Sequence, residues 1–426
     1  MKTPNGTPST RIVAVAIAVI LSTAPLPAGS GGSVYSRFGV GDLRFTSATR
    51  LLGLGGTGAA YRPSGSINDV NPAAWSGISR MRFSAGALYE GFSTDDGTAS
   101  AYLAGMFFNG LSLAIPVDSG MGIAFGAGIA PYSRVNYRIV EPVDQDGVAY
   151  TLTHIGDGGI SRAFAGLSVR IAPGLSAAAQ FNYFFGSNRY IMKQRFDGTA
   201  YTNAELTRTA NVKGAGATFG VLCDELARIA GLPAGQTLAM GLSLTTTSWP
   251  TVGGERIFNY GAAVSTNPND TLEGGERSFR LPFSLTGGLS YSSGNVLAAA
   301  DVRYQDWGGN TYETYPGVRL KNGLRISAGA EITSGDAVNV SPGRRVSYTF
   351  GLYHDAGYLE IGGEAISENG VAAGITFPIL NETRLSLAAG FAMRGSTDNL
   401  LQEDKIFRIS ASMDVTELWF QRPAEE

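Results

Sequence analysis

The amino-acid sequence predicts an all-β protein, a transmembrane antiparallel β-barrel of about 14 strands. Three observations predict this fold. Several segments alternate strictly between apolar and polar or small residues over lengths well beyond the roughly 5–6 residues of a typical soluble strand. The connections between these segments alternate between long and short. Charged residues make up only 16% of the 426 residues, against roughly 25% in an average soluble domain.

The composition also excludes several functional classes. The 32 basic residues are balanced by 35 acidic ones, so the net charge of −3 provides no basic surface for nucleic acid. The one cysteine, Cys223, cannot form an internal disulfide framework. It and the two histidines, His154 and His354, lack the spacing of metal ligands. We therefore expect no nucleic-acid partner, no metal and no cofactor.

Residues 1–30 have the pattern of a secretory signal peptide. Lys2 and Arg11 precede the apolar run at 12–21, and small residues follow it. Cleavage after Ala28 or after Ser30 would fit. The run is too short to span a membrane as a helix, which takes about 20 residues. The sequence predicts an exported protein without a lipid anchor, because no cysteine lies near the cleavage region.

The alternating segments define the two faces of the predicted strands. In residues 384–394, Leu385, Leu387 and Phe391 share one face, and Arg384, Ser386 and Arg394 share the other. Residues 296–305, 324–333 and 407–414 follow the same rule. A period of two is typical of extended strands. Both a soluble sandwich and a membrane barrel would produce it, and the length of the segments favours the barrel.

Counting these segments predicts an even number of strands. They lie near 80–92, 99–117, 121–138, 159–172, 174–190, 206–222, 235–249, 278–292, 296–306, 319–334, 345–354, 369–378, 382–396 and 405–415. Long loops are predicted at 139–158, 191–205, 250–277, 307–320 and 355–368, with a hairpin within the last of them. Most of the other links are tight turns, and residues 223–230 are predicted to form a helical turn. Long loops at one end and short turns at the other are typical of bacterial outer-membrane barrels.

Aromatic residues gather near the ends of the predicted strands, where a membrane barrel carries its interfacial girdles. They are Tyr89, Phe92, Tyr132, Tyr137, Tyr190, Trp249, Tyr304 and Trp307. We expect these side chains to lie at the two membrane surfaces.

Residues 31–79 do not share the alternation. Gly53, Gly55 and Gly58 match the G-x-G-x-x-G pattern of dinucleotide-binding loops, but the residues that follow them do not predict a helix. The interpretation that we favour is a glycine-rich segment that packs closely against other backbone.

This segment resembles the N-terminal hatch of the FadL and TodX family of outer-membrane transporters. The resemblance rests on the glycine-rich stretch at 53–58, a short gap, and then Asn71-Pro72-Ala73-Ala74 before the first predicted strand. Family members are barrels of fourteen strands that carry long-chain fatty acids or other hydrophobic compounds. The resemblance implies three regions, a signal peptide at 1–30, a lumenal hatch at 31–79 and a barrel at 80–426. The implied hatch residues are Gly53, Gly55, Gly56, Gly58, Asn71, Pro72 and Ala73.

The resemblance also implies a route for the cargo. Pro131 cannot donate a hydrogen bond to a strand ladder and should kink the third strand. By analogy with the family, we expect a lateral opening at Gly128 and Pro131 that releases cargo from an apolar pocket into the membrane. The small residues on the lumenal face, from Gly122 to Ala130, either leave room for a plug or ligand or permit curvature.

An alternative function is a barrel scaffold or shuttle component of a protein-secretion or surface-attachment system. Neither histidine lies in a recognisable nucleophile motif, so we expect no enzyme. The expected location is the outer membrane of a Gram-negative bacterium. The expected partners are a hydrophobic molecule or fatty acid, outer-membrane lipid and lipopolysaccharide, and envelope proteins. Trp419 and Phe420 precede six further residues, whereas family members end on an aromatic residue.

Overall fold

A computed structural model of the chain describes residues 29–198, 201–260, 269–310, 315–334, 345–380 and 383–417. Nearly all of the predicted signal peptide, and the aromatic pair Trp419 and Phe420, lie outside the described residues. The described residues form a closed antiparallel β-barrel of fourteen strands, as the sequence predicts. The helices among them are short, and none is long and apolar enough to cross a membrane.

Fourteen strands, two of them interrupted, form the wall. They are β1 (Met81–Asp95), β2 (Ser100–Asp118), β3 (Ile123–Gln145), β4 (Val148–Ala172), β5 (Leu175–Phe196), β6 (Ala204–Cys223), β7 (Gln236–Thr245 and Thr251–Tyr260), β8 (Asn269–Ser278 and Ser284–Ser293), β9 (Val296–Gln305), β10 (Gly323–Thr333), β11 (Ser347–Asp355), β12 (Glu368–Leu380), β13 (Thr383–Arg394) and β14 (Glu403–Glu417). Each is antiparallel to the strand that follows it.

The barrel closes between its first and last strands. β14 pairs with β1 along its whole length, from Glu403 opposite Asp95 to Glu417 opposite Met81. Closure matters because a backbone group without a hydrogen-bond partner is costly in lipid, where no water can replace the missing bond.

The two faces of the wall differ as the alternation predicts. In β13, Leu387, Phe391 and Met393 are exposed on the outer face, and Arg384 and Ser386 are buried on the inner face. Exposed apolar side chains cover the outer face around the barrel, among them Phe108, Leu167, Phe181, Phe219, Leu242, Leu289, Val302, Ile326, Phe350, Val371, Ile409 and Met413. Such a band is what a hydrocarbon environment requires.

The sequence prediction underestimated the length of the strands at one end. Most of the predicted loop at 139–158 belongs to β3 and β4, which turn at Asp146 and Gly147. Parts of 191–205 and 250–277 likewise extend β5, β6, β7 and β8. β4 has 25 residues, whereas about 9–11 suffice to span a membrane. The alternation therefore continues well beyond the part that the membrane can cover.

The same end of the barrel, here called the lid end, carries a small separate sheet. Residues Val318–Leu320, Leu359–Ile361 and Glu364–Ala365 pair as three short antiparallel strands. Two of them form the hairpin predicted within 355–368. We call residues 315–320 and 356–366 the lid, because they pack over the lumen. At the opposite, turn end, the helical turn predicted at 223–230 is present as a short helix, Leu226–Ile229.

Five of the eight aromatic side chains predicted for the membrane surfaces lie inside the protein instead, and Tyr132 is one of them because it packs against the interior cluster around Trp307. Phe92, Tyr137, Tyr190 and Trp307 are buried, whereas Trp249 is 65% exposed. Trp307 and its neighbours fill the space between the wall and the lid, so proximity to a strand end does not place an aromatic residue in the membrane interface.

The lipid-facing band predicts how the protein responds to a new charge. Ile409 is 55% exposed near the middle of β14, and Val140 is 56% exposed on the part of β3 that extends towards the lid end. We expect Ile409→Arg to lower the free energy of unfolding by about 2–4 kcal/mol, the cost of an arginine at the bilayer midplane. Val140→Arg, the matched control, should cost about 0.5 kcal/mol or less. Urea unfolding in phospholipid vesicles measures both values, and equal losses would contradict this placement of the band.

Candidate functional site

The N-terminal segment, residues 31–79, packs against the inner face of the wall. Trp75 is fully buried and stacks on Phe164 of β4, with ring centroids 6.2 Å apart. A Cβ atom added to Gly126 of β3 would lie 2.5 Å from the Trp75 ring. The absence of a side chain at Gly126 thus makes room for Trp75 of the N-terminal segment.

The glycine-rich stretch approaches the wall backbone to backbone. A Cβ atom on Gly351 of β11 would lie 2.1 Å from the amide nitrogen of Gly55, and one on Gly53 would lie 2.3 Å from the Thr349 hydroxyl. Gly55 and Gly56 have φ angles of 72° and 87°, which favour glycine. The stretch follows the short helix Thr49–Gly53 rather than a strand, so it lacks the context of a dinucleotide site.

The last glycine of this stretch begins a carboxylate-binding turn. The backbone amides of Gly58 and Ala59 donate to one carboxylate oxygen of Asp301 on β9, at 2.7 and 2.8 Å. Two adjacent amides form a small anion-binding nest, and here a side chain of the wall occupies it.

Asn71 joins the second motif to the opposite wall. Its side chain accepts from the amide of Ala73 and thereby caps the short helix Pro72–Gly77. Its amide group donates to the carbonyl oxygens of Ala59, at 2.7 Å, and of Val221 on β6, at 3.0 Å. The side chain is fully buried. One asparagine therefore ties together both predicted hatch motifs and the wall.

A buried ion pair fixes the middle of the segment. Arg50 binds Glu331 of β10 through two guanidinium nitrogens, and the side chains are only 2% and 6% exposed. The Tyr61 hydroxyl donates to the same carboxylate at 2.6 Å. Both partners are desolvated, so loss of either would leave an uncompensated buried charge.

A larger ion-pair network connects the start of the segment to four strands. Asp42 accepts from Arg394 of β13 at 2.7 Å, and Arg44 binds Glu90 of β1 through both of its terminal nitrogens. Arg408 of β14 then joins Glu90, at 2.9 Å, to Glu368 of β12, at 2.6 Å. The segment therefore contributes both a carboxylate and a guanidinium to this network.

Next to this network the lumen contains a cavity of about 150 Å³, here called the main chamber. Its apolar lining includes Leu43, Phe45, Leu52, Leu88, Leu359 and Ile366. Its charged lining includes Arg44, Arg303, Arg325, Asp355, Glu368 and Arg408. The Arg325 guanidinium lies over the rings of Phe45 and Tyr353, 4.5 and 3.8 Å from their centroids. The main chamber can accommodate a compact group that presents both apolar and polar surface.

The lid covers the main chamber and binds the N-terminal segment. The Tyr358 hydroxyl donates to the carbonyl oxygen of Gly41 at 2.7 Å. The Tyr358 ring packs against Trp307, with ring centroids 4.7 Å apart. Burial raises the pKa of Tyr358 well above its usual value, so the hydroxyl stays protonated as a donor. The Phe38 ring of the N-terminal segment also packs edge-to-face against Tyr315 of the lid, with ring centroids 5.5 Å apart.

Gly128 and Pro131 lie where the wall changes. The β2–β3 ladder begins at Asp118 opposite Ile123 and ends at Leu111 opposite Ile129. A Cβ atom on Gly128 would lie 2.5 Å from the carbonyl oxygen of Leu111, so glycine allows the last rungs to approach. Immediately beyond, the register of β3 against β4 shifts between Pro131 and Ser133.

Beyond this point two short strands occupy the edges of β2 and β3, one at the end of the predicted signal peptide and one in the N-terminal segment. Gly29–Ser30 pairs in parallel with Leu103 and Ala104 of β2. Asp42–Leu43 pairs with Arg134 and Ser133 of β3. We call this place the seam, because β2 and β3 no longer pair directly with each other there.

Sequence reasoning missed the charged partners inside the barrel. Arg325, Glu331, Arg394 and Arg408 fall on the polar faces of alternating strands, and that position is the only signal the sequence offers. Their partners Asp42 and Arg44 precede the glycine-rich motif and belong to no recognisable pattern. Only the folded arrangement brings these residues together.

The histidines do not form a catalytic group in the described structure. His354 contacts the side chain of Asn369 at 2.8 Å on the exposed face, and His154 lies in β4. Within the described ranges, no three histidine, cysteine, aspartate or glutamate side chains come together as a metal site.

Comparisons with known proteins agree with the fold. A family model described as BamG matches residues 10–424. No curated protein matches the chain. Among solved structures, the CymD monoaromatic hydrocarbon channel has a TM-score of 0.58 at 12% identity, over 90% of this chain and all of that one. A FadL homologue from Pseudomonas aeruginosa has a TM-score of 0.56 at 13% identity, over 87% and 99%. The Ralstonia pickettii toluene transporter TbuX has a TM-score of 0.57 at 12% identity, over 87% and 98%. At these identities the likeness is one of fold.

The Arg50–Glu331 pair predicts how firmly the segment is held. We expect Arg50→Ala to lower the free energy of unfolding by about 3–5 kcal/mol, because Glu331 is left buried without its cation. Arg228→Ala removes an exposed ion pair with Glu225 and should cost about 1 kcal/mol or less. Chemical denaturation in detergent micelles compares the two variants. A loss for Arg50→Ala no larger than that of Arg228→Ala would show that the pair does not hold the segment.

Proposed function

The chain belongs to the BamG family, and from its FadL-like fold we propose that it carries hydrophobic molecules across the outer membrane of a Gram-negative bacterium. The solved relatives are described as a monoaromatic hydrocarbon channel, a FadL homologue and a toluene transporter. The observation that carries the proposal is the main chamber, which lies in the lumen beneath the lid and close to the seam. No enzymatic step is part of the proposal.

The N-terminal segment acts as the hatch in this proposal. It would follow a signal peptide at 1–30 and precede the barrel at 80–426. Support comes from the burial of Gly53, Gly55 and Asn71 against the wall. Gly56, Gly58, Pro72 and Ala73 would belong to the same plug. With the hatch in place, the lumen is closed to free diffusion.

The main chamber suits an amphiphile better than a hydrocarbon alone. Leu52, Leu88 and Ile366 offer apolar contact, while Arg303 and Arg325 offer positive charge. A long-chain fatty acid, the cargo class that the family resemblance suggests, combines these two properties. Lipopolysaccharide and lipid would surround the barrel.

Cargo leaves sideways in this proposal, through the seam next to Gly128 and Pro131. There β2 and β3 do not pair directly with each other, and each edge is covered only by a two-residue strand. Detachment of residues 31–44 would open a path from the chamber to the outer-face lipid without moving the deeper contacts of Arg50 or Asn71.

A scaffold in an envelope machine is the second candidate function, and one observation favours it. The N-terminal segment is bound to the wall by ion pairs at Asp42, Arg44 and Arg50, and by hydrogen bonds at Asn71. A barrel plugged this firmly could serve as a rigid platform for other envelope proteins. Such a platform should co-purify with those proteins and give no uptake above cells that lack it.

A reversible cross-link at the seam tests the transport route. Leu43 and Ser133 face each other in the short ladder, next to the hydrogen bond from the Arg44 amide to the Tyr132 carbonyl oxygen. Residues paired this way lie about 4.5–5.5 Å apart at Cα, within the roughly 4.4–6.8 Å that a disulfide bridges. With Cys223→Ser as background, Leu43→Cys and Ser133→Cys should allow uptake of a fluorescent fatty acid only after reduction, with at least a tenfold difference.

The control places the same cross-link within an intact part of the wall. Thr237 of β7 and Ser292 of β8 are paired, with their hydroxyl oxygens 2.6 Å apart. A disulfide between cysteines at these positions should leave uptake unchanged. If the oxidised seam variant takes up the fatty acid as fast as the reduced one, lateral release is wrong. If no variant exceeds cells without the protein, transport itself is wrong and the scaffold is favoured.

A further inference from the structure

A second cavity lies between the N-terminal segment and the wall, on the other side of Phe45 from the main chamber. Its volume is about 70 Å³, and we call it the small chamber. At about 10–15 Å³ for each water centre, it has room for one compact ion with a few waters but not for an alkyl chain. Unlike the main chamber, its lining is dominated by polar groups, and most of those are hydrogen-bond donors.

A β-bulge places the first donor. Pro131 pairs with Ser161 and Ser133 pairs with Ile160, so Tyr132 is the extra residue in β3. Bulges redirect side chains, and the Tyr132 ring packs edge-on against Phe184 of β5 at 5.1 Å, lining the small chamber. The disruption at Pro131 therefore does more than bend the strand, since it brings a phenol to this cavity.

Two guanidinium groups supply the main charge. Arg162 lies opposite Ala130 in the β3–β4 ladder and therefore faces inward, towards the small chamber. Arg303 of β9 also lines it. Arg303 donates to the Thr286 hydroxyl at 3.0 Å and to the Phe45 carbonyl oxygen at 3.2 Å. In the described part of the chain, neither arginine has a carboxylate within 4.0 Å, in contrast to the arginines of the ion-pair network.

One carboxylate lines the same cavity, and its own hydrogen bonds are already made. Asp69 accepts from the Thr46 hydroxyl at 2.5 Å and from the Ser47 amide and hydroxyl at 2.6 and 2.7 Å. Arg44 also lines the cavity, but its charge is balanced by its ion pair with Glu90. Asp69 beside Arg162 and Arg303 therefore leaves an excess of one positive charge. Hydroxyl groups of Thr218, Thr245 and Ser284 complete the lining.

We propose that the small chamber binds a small oxyanion, a phosphate or carboxylate group, held by Arg162, Arg303 and the Tyr132 hydroxyl. Buried positive charge without a counter-ion is costly, and an oxyanion supplies both the charge and the acceptors that these donors need. The group comes either from a free ion or from the head of a larger molecule. The proposal goes beyond transport, because a bound anion would join the N-terminal segment to β3, β4 and β9 whether or not the barrel carries cargo.

The test is calorimetric titration of inorganic phosphate into the purified full chain in maltoside micelles, at constant ionic strength against chloride. Wild-type protein should give saturable binding with one site. Arg162→Gln and Arg303→Gln should each weaken binding by about tenfold or more, the expected effect of losing a hydrogen bond to a charged group. Arg195→Gln, which removes an exposed arginine from β5, should leave the affinity unchanged.

A milder variant guards against misfolding. Tyr132→Phe keeps the ring against Phe184 and removes one donor, so it should fold normally and still weaken phosphate binding several-fold. Absence of saturable binding to wild-type protein, or unchanged affinity in all three chamber variants, would overturn the proposal.

Competition with phosphate by two added carboxylates, acetate and dodecanoate, shows whether the bound group is a free ion or the head of a larger molecule. If acetate competes with phosphate as well as dodecanoate does, the site takes a free ion. If dodecanoate competes at least tenfold better, and does so only while Arg162 is present, the group is a headgroup. Both outcomes support the site, whereas binding of dodecanoate without any binding of acetate or phosphate contradicts it. None of these measurements depends on transport, so failure here and failure of the uptake experiment are distinguishable.

Discussion

The closed hydrogen-bond ladder of the wall is the constraint on which the rest of the structure depends. Closure satisfies the backbone in lipid and fixes which face of each strand points outward. Apolar residues such as Ile409 and Phe350 then occupy the outer face, and charged residues can be accommodated inside. Interior charges need partners, and the N-terminal segment supplies them through Asp42, Arg44 and Arg50. Because the barrel is apolar outside and charged inside, the segment is held by ion pairs rather than by an apolar core alone.

Beyond Ile129, β2 and β3 do not pair directly with each other, and the proposed transport route lies there. Residues 29–30 and 42–43 cover the two exposed edges with strands of two residues. The same few residues bend β3 at Pro131 and turn Tyr132 inward. The seam, the main chamber and the small chamber are therefore neighbours, and a change in the conformation of residues 42–47 would alter all three.

The sequence predicted the fold well because strand alternation is a local property. The strand count and the faces of residues 296–305, 384–394 and 407–414 follow from a period of two. The lengths of β3 and β4 could not be predicted in this way, since residues alternate identically within the membrane and beyond it. The buried positions of Phe92 and Trp307 could not be predicted either, because the packing of the lid decides them. The charged partners come from distant parts of the chain, and the inward turn of Tyr132 depends on a bulge whose register cannot be inferred from composition.

We expect a hydrophobic molecule to occupy the main chamber, between the N-terminal segment and the lid. A crystal structure of the protein with a terminally brominated long-chain fatty acid tests this most directly, through the anomalous signal of bromine. We expect a bromine peak inside the barrel, within contact distance of Leu52, Leu88 or Ile366. Bromine peaks confined to the outer face, with the main chamber holding only water, would contradict it.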